Sequence, residues 1–306
     1  MSRHFISLAE HSPQQIKDYL DLARHIKLSP AAFGDACEGK TLAMIFQKPS
    51  LRTRVSFQTG IYQLGGTGIF LGPTDIQLHR GETIADTTRV LSRYVDGIMA
   101  RVFAHSDVVE LAEHGSVPVI NGLSDLLHPC QVLADLLTIQ EKKSQLSGLK
   151  LAYIGDGNNM AHSLMVGCAL TGISVAIGHP TGYAPDPDIT RQTEAFAKQS
   201  GATVLVTEDP KEAVAQADIV YSDVWTSMGQ EEERKQRLAR FTGYQIDATL
   251  MGHAHSDAIF MHCLPAHRGE EVSADVIDGP QSVIFDQAEN RLHAQKAIMA
   301  RLMGPH

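Results

Sequence analysis

Long apolar runs are missing from this chain. No stretch approaches the roughly 18 apolar residues that a membrane-spanning helix needs, so neither a membrane segment nor a membrane partner is expected. Cysteine is scarce, and the four present, Cys37, Cys130, Cys168 and Cys263, never form a Cys-x-x-Cys pair. That argues for reduced thiols over a disulfide framework. Basic charge is in deficit: 26 Lys and Arg against 35 Asp and Glu give a formal charge of −9, which disfavours nucleic acid as a partner. The opening MSRHFISLAE has neither an apolar signal core nor an Arg-rich amphipathic presequence, so the expected location is the cytoplasm. What is present is 306 residues with 43% apolar and 20% charged content, enough for about two globular domains with separate cores.

One stretch, TLAMIFQKPSLRTRVSFQ, organises the rest. Residues 41–46 read as a buried strand, delivered into the polar turn Ser50-Leu51-Arg52-Thr53-Arg54 that opens a helix. The first N–H groups of a helix lack intrahelical acceptors and carry the positive end of its dipole, so this turn suits a phosphate. Ser50 and Thr53 add hydroxyl donors, and Arg52 and Arg54 add guanidinium forks. The plainer reading is a Ser N-cap followed by solvated arginines, and the segment alone does not separate the two.

Around this stretch, strands and helices alternate. Ser12-Pro13-Gln14-Gln15 carries the signals of a helix start, running to about Lys27. Strands are predicted at 67–71, 97–100 and 117–120, with helices at 82–94, 106–114 and 130–143. The polar stretch 141–150 predicts a domain boundary. Beyond it come strands near 149–154, 174–177, 203–206, 218–221 and 258–261, and a closing helix over 285–303. The run QEEERKQRLAR at 230–240 reads most simply as a solvated helix face. The predicted class is α/β: two doubly wound parallel-sheet domains with helices on both faces. Unusual polar residues follow the strands directly, at Ser50 to Thr53, Arg101, Asp156 to Asn159, Asp223, and His262-Cys263. Open parallel sheets bind ligands at the carboxyl ends of their strands, and two such sheets face to face would make one cleft.

Four constellations carry chemistry. His128-Pro129-Cys130-Gln131 opens a helix after an expected Asn121-Gly122 turn. His128 there is either a satisfied polar residue or a donor to a polarised carbonyl, and Cys130 reads as packing because no base is near. Gly155-Asp156-Gly157-Asn158-Asn159 invites a dinucleotide reading. Met160 stands where the third glycine belongs, however, and Gly178-His179 where a ribose-binding acid belongs. Paired asparagines at a helix start fit a carboxylate or amide ligand better. Asp223-Val224-Trp225-Thr226-Ser227-Met228-Gly229 offers a carboxylate for an ammonium, and Ser227 with the Met228 N–H for a carboxylate, unless Asp223 merely caps a turn. His253, His255, Asp257, His262, Cys263 and His267 cluster in sequence without a closed zinc spacing, so no metal is expected. Cys263 and Leu264, through its carbonyl, read instead as acceptors for an amine.

Together, Ser50-Leu51-Arg52-Thr53-Arg54, His128-Pro129-Cys130-Gln131, Asp223-x-Trp-x-Ser227-Met228-Gly229 and His262-Cys263-Leu264-Pro265 resemble the aspartate/ornithine carbamoyltransferase family, nearest its ornithine-using members. The resemblance spans nearly the whole chain and implies carbamoyl phosphate and L-ornithine as substrates, no cofactor, and a homotrimer. It implies a carbamoyl-phosphate domain at 1–143, an ornithine domain at 144–285, and a C-terminal helix at 286–306 returning to the first. Ser50, Leu51, Arg52 and Thr53 would hold phosphate; Arg101, His128 and Gln131 the carbamoyl group; Gln77, from a neighbouring subunit, and Arg291 would also reach carbamoyl phosphate. Asn159, Asp223, Ser227 and Met228 would hold the ornithine backbone, and Cys263 with Leu264 its side-chain amine. Arg101, His128 and Cys263 would be the catalytic set. Two positions depart from the family: Gln58 stands where Glu is usual, and His79 where Gly is common.

Overall fold

The apolar run at 41–46 becomes β1 (Thr41–Phe46), buried from Leu42 to Phe46, as suits a parallel strand covered on both faces. The computed structural model describes residues 3–76, 81–226 and 231–305. These fall into two units, Met1–Leu137 with Glu289–His306, and Thr138–Ala288. The first unit adds strands β2 (Thr67–Leu71), β3 (Gly97–Arg101) and β4 (Val119–Leu123), all parallel, in the order β2-β1-β3-β4. Its helices are α1 (Pro13–Leu28), α2 (Leu51–Gln63), α3 (Ile84–Leu91), α4 (His105–His114) and the first part of α5 (Pro129–Lys143). Each successive pair of strands is joined through a helix. Because the order turns back at β1, right-handed crossovers send helices to both faces.

The second unit repeats the plan with β5 (Lys150–Ile154), α6 (Asn159–Thr171), β6 (Ser174–Gly178), α7 (Pro187–Ser200), β7 (Val204–Thr207), α8 (Pro210–Val214) and β8 (Ile219–Ser222). There follow α9 (Arg234–Arg240), α10 (Ala248–Met251), β9 (Ile259–His262) and α11 (Ala274–Ile277). Five parallel strands run in the order β7-β6-β5-β8-β9. The closing helix α12 (Ile284–Met303) belongs to the first unit from Glu289 onward. There Lys27 Nζ donates to Asn290 Oδ1 at 2.8 Å, Lys296 Nζ to Gln63 Oε1 at 3.0 Å, and Arg301 pairs with Asp18 at 3.3 Å. Gly60 of α2 permits this packing, since a Cβ there would stand 2.9 Å from Met299 Cε. No helix among the described residues is long and apolar enough to cross a membrane.

The two units meet inside α5, between Leu137 and Thr138, and again within α12, between Ala288 and Glu289. One expectation shifts. Asn121-Gly122 is no turn but the middle of β4. The buried Asn121 amide donates to Ile6 O at 3.0 Å, and the Gly122 α-carbon passes so close to Met99 that a Cβ would lie 2.6 Å from its sulfur. A turn dipeptide was legible; its use as a β-bulge was not.

The first helix carries its predicted capping box: Ser12 Oγ accepts from Gln15 N at 3.2 Å and Gln15 Oε1 accepts from Ser12 N at 2.8 Å. Beside it His11, only 4% exposed, packs between the rings of Phe5 and Tyr19. Burial, reinforced by the Arg301 charge, lowers its pKa to about 4. Above the ordinary value both folded and unfolded chains hold His11 neutral. As pH falls from 6.5 toward 4 only the unfolded chain takes the proton, so stability drains away across that window. His11→Phe is therefore expected to flatten the fall in melting temperature between pH 7 and about 4.5. An unchanged slope in thermal melts would refute this role.

Candidate active site

In the first unit the phosphate-type turn is built as the sequence suggests. Ser50 is the extended N-cap of α2, and its Oγ accepts from Thr53 N at 3.2 Å while keeping its own proton to donate. The helix geometry gives the amides of Leu51 and Arg52 no intrahelical acceptor. Leu51 is exposed, Arg52 half-buried and Thr53 buried. Arg54 departs from its expected use: its guanidinium lies 3.8 Å from the centroid of the Phe70 ring.

The other residues come to the same turn or to the ends of neighbouring strands. Arg291 of α12 donates through Nη2 to Thr53 Oγ1 at 3.2 Å and through Nη1 to Gln131 Oε1 at 2.7 Å. Gln131 Nε2 in turn donates to the buried Asp135 at 2.8 Å, so a carboxylate that no motif advertised orients the amide. Arg101 ends β3 at the bulge, where pairing steps from Ala100 with Asn121 to Arg101 with Leu123, and only 5% of it is exposed. A bulge re-aims the side chain that follows it. His128 precedes α5 and is buried. Burial, then the Arg291 and Arg101 charges, hold its pKa well below the usual histidine range, so the ring is neutral and has one N–H to give. Cys130 is packing, as read: its thiol donates to Asn121 O at 3.2 Å, and burial pushes its pKa up to about 12. Lys48, which no motif singled out, sets Nζ 4.5 Å from the centroid of the Phe103 ring, and burial with the Arg101 charge lowers its pKa.

In the second unit three strand ends converge. Asp223, just past β8, is 7% exposed. Its Oδ2 accepts from Asn158 Nδ2 at 3.0 Å; its Oδ1 accepts from Val224 N at 2.8 Å and from the Cys263 thiol, beyond β9, at 3.1 Å. Leu264 N donates to His262 Nδ1 at 2.9 Å, which fixes the tautomer and turns Nε2 toward the fully buried Glu271 at 3.3 Å. Asn159, half-buried, is the first residue of α6. The two asparagines, expected as a pair of ligand groups, split: Asn158 is the N-cap, accepting from Met160 N and Ala161 N. Gln77, Ser227 and Met228, with His79, lie outside the described residues; Gln58 is exposed on α2.

The solvated-face reading of 230–240 is wrong at Arg237, which is 6% exposed. Its Nη1 donates to Asp156 at 2.6 Å and to Trp225 O at 3.1 Å, beside the Tyr183 ring. One buried arginine among exposed charges leaves no trace in a charge count. The nucleotide reading meets a second objection here. A Cβ on Gly157 would lie 2.3 Å from Pro185 N, and Asn158 already occupies the helix-start amides, so the place for a pyrophosphate is filled. Of the histidine-rich cluster, only His267 joins a group with ligand atoms within 4.8 Å of one another, with Glu270 and Glu271, among the described residues. Glu270 there is paired with Arg234.

Both halves of the chain match family models. Residues 3–141 match the carbamoyl-P binding domain, and residues 147–302 the Asp/Orn binding domain, of aspartate/ornithine carbamoyltransferase. An ornithine carbamoyltransferase from Oceanobacillus iheyensis is 58% identical over 303 residues, covering 98% of this chain and 94% of that one. One from Thermococcus kodakarensis is 62% identical over 267 residues, 87% of this chain and 85% of that one. Among solved structures, ornithine carbamoyltransferase from Pyrococcus furiosus is similar at 53% identity with a TM-score of 0.94, covering 97% of this chain and 96% of that one. With both domain models matched in order and the polar motifs seated at the carboxyl ends of two parallel sheets, the chain belongs to the aspartate/ornithine carbamoyltransferase family.

Proposed function

We propose that this protein transfers the carbamoyl group of carbamoyl phosphate to the δ-amine of L-ornithine, giving L-citrulline and phosphate. The observation that carries the choice of amine is the thiol-to-carboxylate contact of Cys263 with Asp223 at 3.1 Å, which gathers amine-accepting groups at adjacent strand ends. The names of the relatives at 58% and 62% identity support the same choice. The first unit would bind carbamoyl phosphate through Ser50, Leu51, Arg52, Thr53, Arg101, His128, Gln131 and Arg291, with Gln77 of a neighbouring subunit. The second would bind ornithine through Asn159, Asp223, Ser227, Met228, Cys263 and Leu264.

The chemistry follows from charge. A δ-amine has a solution pKa of roughly 10.4 and must be neutral to attack the carbonyl carbon, which desolvation favours. As the new C–N bond forms, negative charge grows on the carbonyl oxygen, where the Arg101 guanidinium and the neutral His128 ring donate. The C–O bond to phosphorus then breaks. The leaving phosphate carries off the electron pair and takes the amine proton, so the two substrates balance the reaction without a further reagent. Binding both reactants in fixed orientation removes much of the entropic barrier to their encounter.

A cytoplasmic trimer is part of the proposal. In support, α2 leaves Leu51, Val55 and Tyr62 exposed and the edge strand β2 leaves Ile69 exposed, an apolar set suited to a second copy. Light scattering should return three times the chain mass of 33.3 kDa; a monomer would refute the assembly. Labelled carbamoyl phosphate decides the reaction: label is expected in citrulline. Label reaching putrescine or aspartate but not ornithine would overturn the substrate.

A further inference from the structure

Asn158 precedes the residue that the family motif assigns to the amino acid, and its own side chain is committed inside the second unit. Its Oδ1 accepts from Met160 N at 2.9 Å, from Ala161 N at 3.2 Å and from the Tyr153 hydroxyl at 3.3 Å. With three donors on the oxygen, the amide orientation is not interchangeable, and the nitrogen must face Asp223, 3.0 Å away. Capping does not explain that choice. Aspartate, serine and threonine cap helices comparably, but aspartate has no proton to donate, and a hydroxyl must accept and donate from one atom close to the backbone; the amide puts its donor on a second atom that reaches the carboxylate.

The geometry points to Asn158 as a positioning residue for amino-acid recognition: its Nδ2 holds the Asp223 carboxylate in the rotamer that presents it, beside the Cys263 thiol, to a substrate ammonium. This rests on the ornithine reading above. The chain of contacts is continuous from the fully buried Tyr153 through Asn158 and Asp223 to Cys263, linking β5, α6, β8 and the turn after β9. A carboxylate held by three donors cannot swing, and its fixed position lets it discriminate among amines.

Asn158→Asp isolates the donor. It keeps the volume and the cap, and sets a second carboxylate oxygen against Asp223. Nearby charged or titratable groups are Tyr153 on β5, Asp156 with its partner Arg237 of α9, His162 on α6, Cys263, and Glu271. Arg237 is already bound to Asp156 and Glu233. At pH 8 the ornithine KM of Asn158→Asp is expected to rise roughly 10- to 100-fold, the range for losing a hydrogen bond to a charged group, with the carbamoyl phosphate KM unchanged. As pH falls toward 6 the two carboxylates come to share a proton, which restores a donor between them. The ratio of variant to wild-type ornithine KM should therefore shrink several-fold, by about one factor of ten at most per pH unit. Asn158→Ser, which caps but is too short to reach Asp223, should raise the ornithine KM by a ratio independent of pH, and stands in if the aspartate variant does not fold. A wild-type ornithine KM in either variant, or equal pH dependence in both, would reduce Asn158 to a helix cap. Failure of the wild-type chain to carbamoylate ornithine would overturn the substrate assignment itself, and that arm is read without any variant.

Discussion

Replacing Arg101 with methionine is expected to lower kcat by about 10²- to 10³-fold, the cost of removing one donor to a developing oxyanion, while the chain stays folded. Arg101 ends β3, 95% of it is buried, and the bulge against Gly122 sets its direction, so its guanidinium is aimed before substrate arrives. Preorganisation is what makes such a donor effective: no dipole has to turn as charge develops. Methionine fills comparable volume with an unbranched apolar stem, which avoids a cavity beneath β4. Thermal melts should therefore move little while single-turnover rates collapse. Arg101→Lys should recover only part of the rate, because an ammonium supplies charge without the planar fork. A kcat within about threefold of wild type in the methionine variant would remove Arg101 from the oxyanion role.

The second large effect is expected at Asp223. Asp223→Asn removes the charge that would pair with a substrate ammonium and makes the side chain compete as a donor with Asn158 Nδ2 and the Cys263 thiol, both now directed at the carboxylate. Breaking one partner of a buried charge pair costs about 3–5 kcal/mol, so the ornithine KM should rise by roughly 10²- to 10⁴-fold. Carbamoyl phosphate should bind as before, since its proposed contacts lie in the other unit. Equilibrium titration of carbamoyl phosphate beside ornithine kinetics separates the two. A parallel loss of both affinities would mean that Asp223 supports the fold instead of the substrate.

Much of this was legible in residue order. The run at 41–46 is a buried parallel strand because continuous apolar residues suit a strand covered on both faces, and Ser50 caps α2 as its residue type predicts. The Ser12 capping box formed as read. Elsewhere a local signal was right in kind and wrong in use. Asn121-Gly122 carries the chemistry of a turn, yet serves inside β4, where closeness to Met99 requires a glycine. Asn158-Asn159 announced a polar helix start, yet only the fold shows one asparagine turned inward to Asp223. Arg237 looked like one charge among many and is an anchor to Asp156.

What the sequence determined by itself is everything that depends on neighbours within a turn or two of chain: strand burial, helix caps, the alternation that makes two parallel sheets, and the residue types at each strand end. What only tertiary structure decided is which of those ends meet. Arg291 reaches Thr53 across 238 positions, Asn158 reaches Asp223 across 65, and Cys263 reaches Asp223 across 40. Hydrogen bonds act over about 3 Å of space, and periodicity along a chain does not encode which strands lie side by side; the winding of the sheets supplies that.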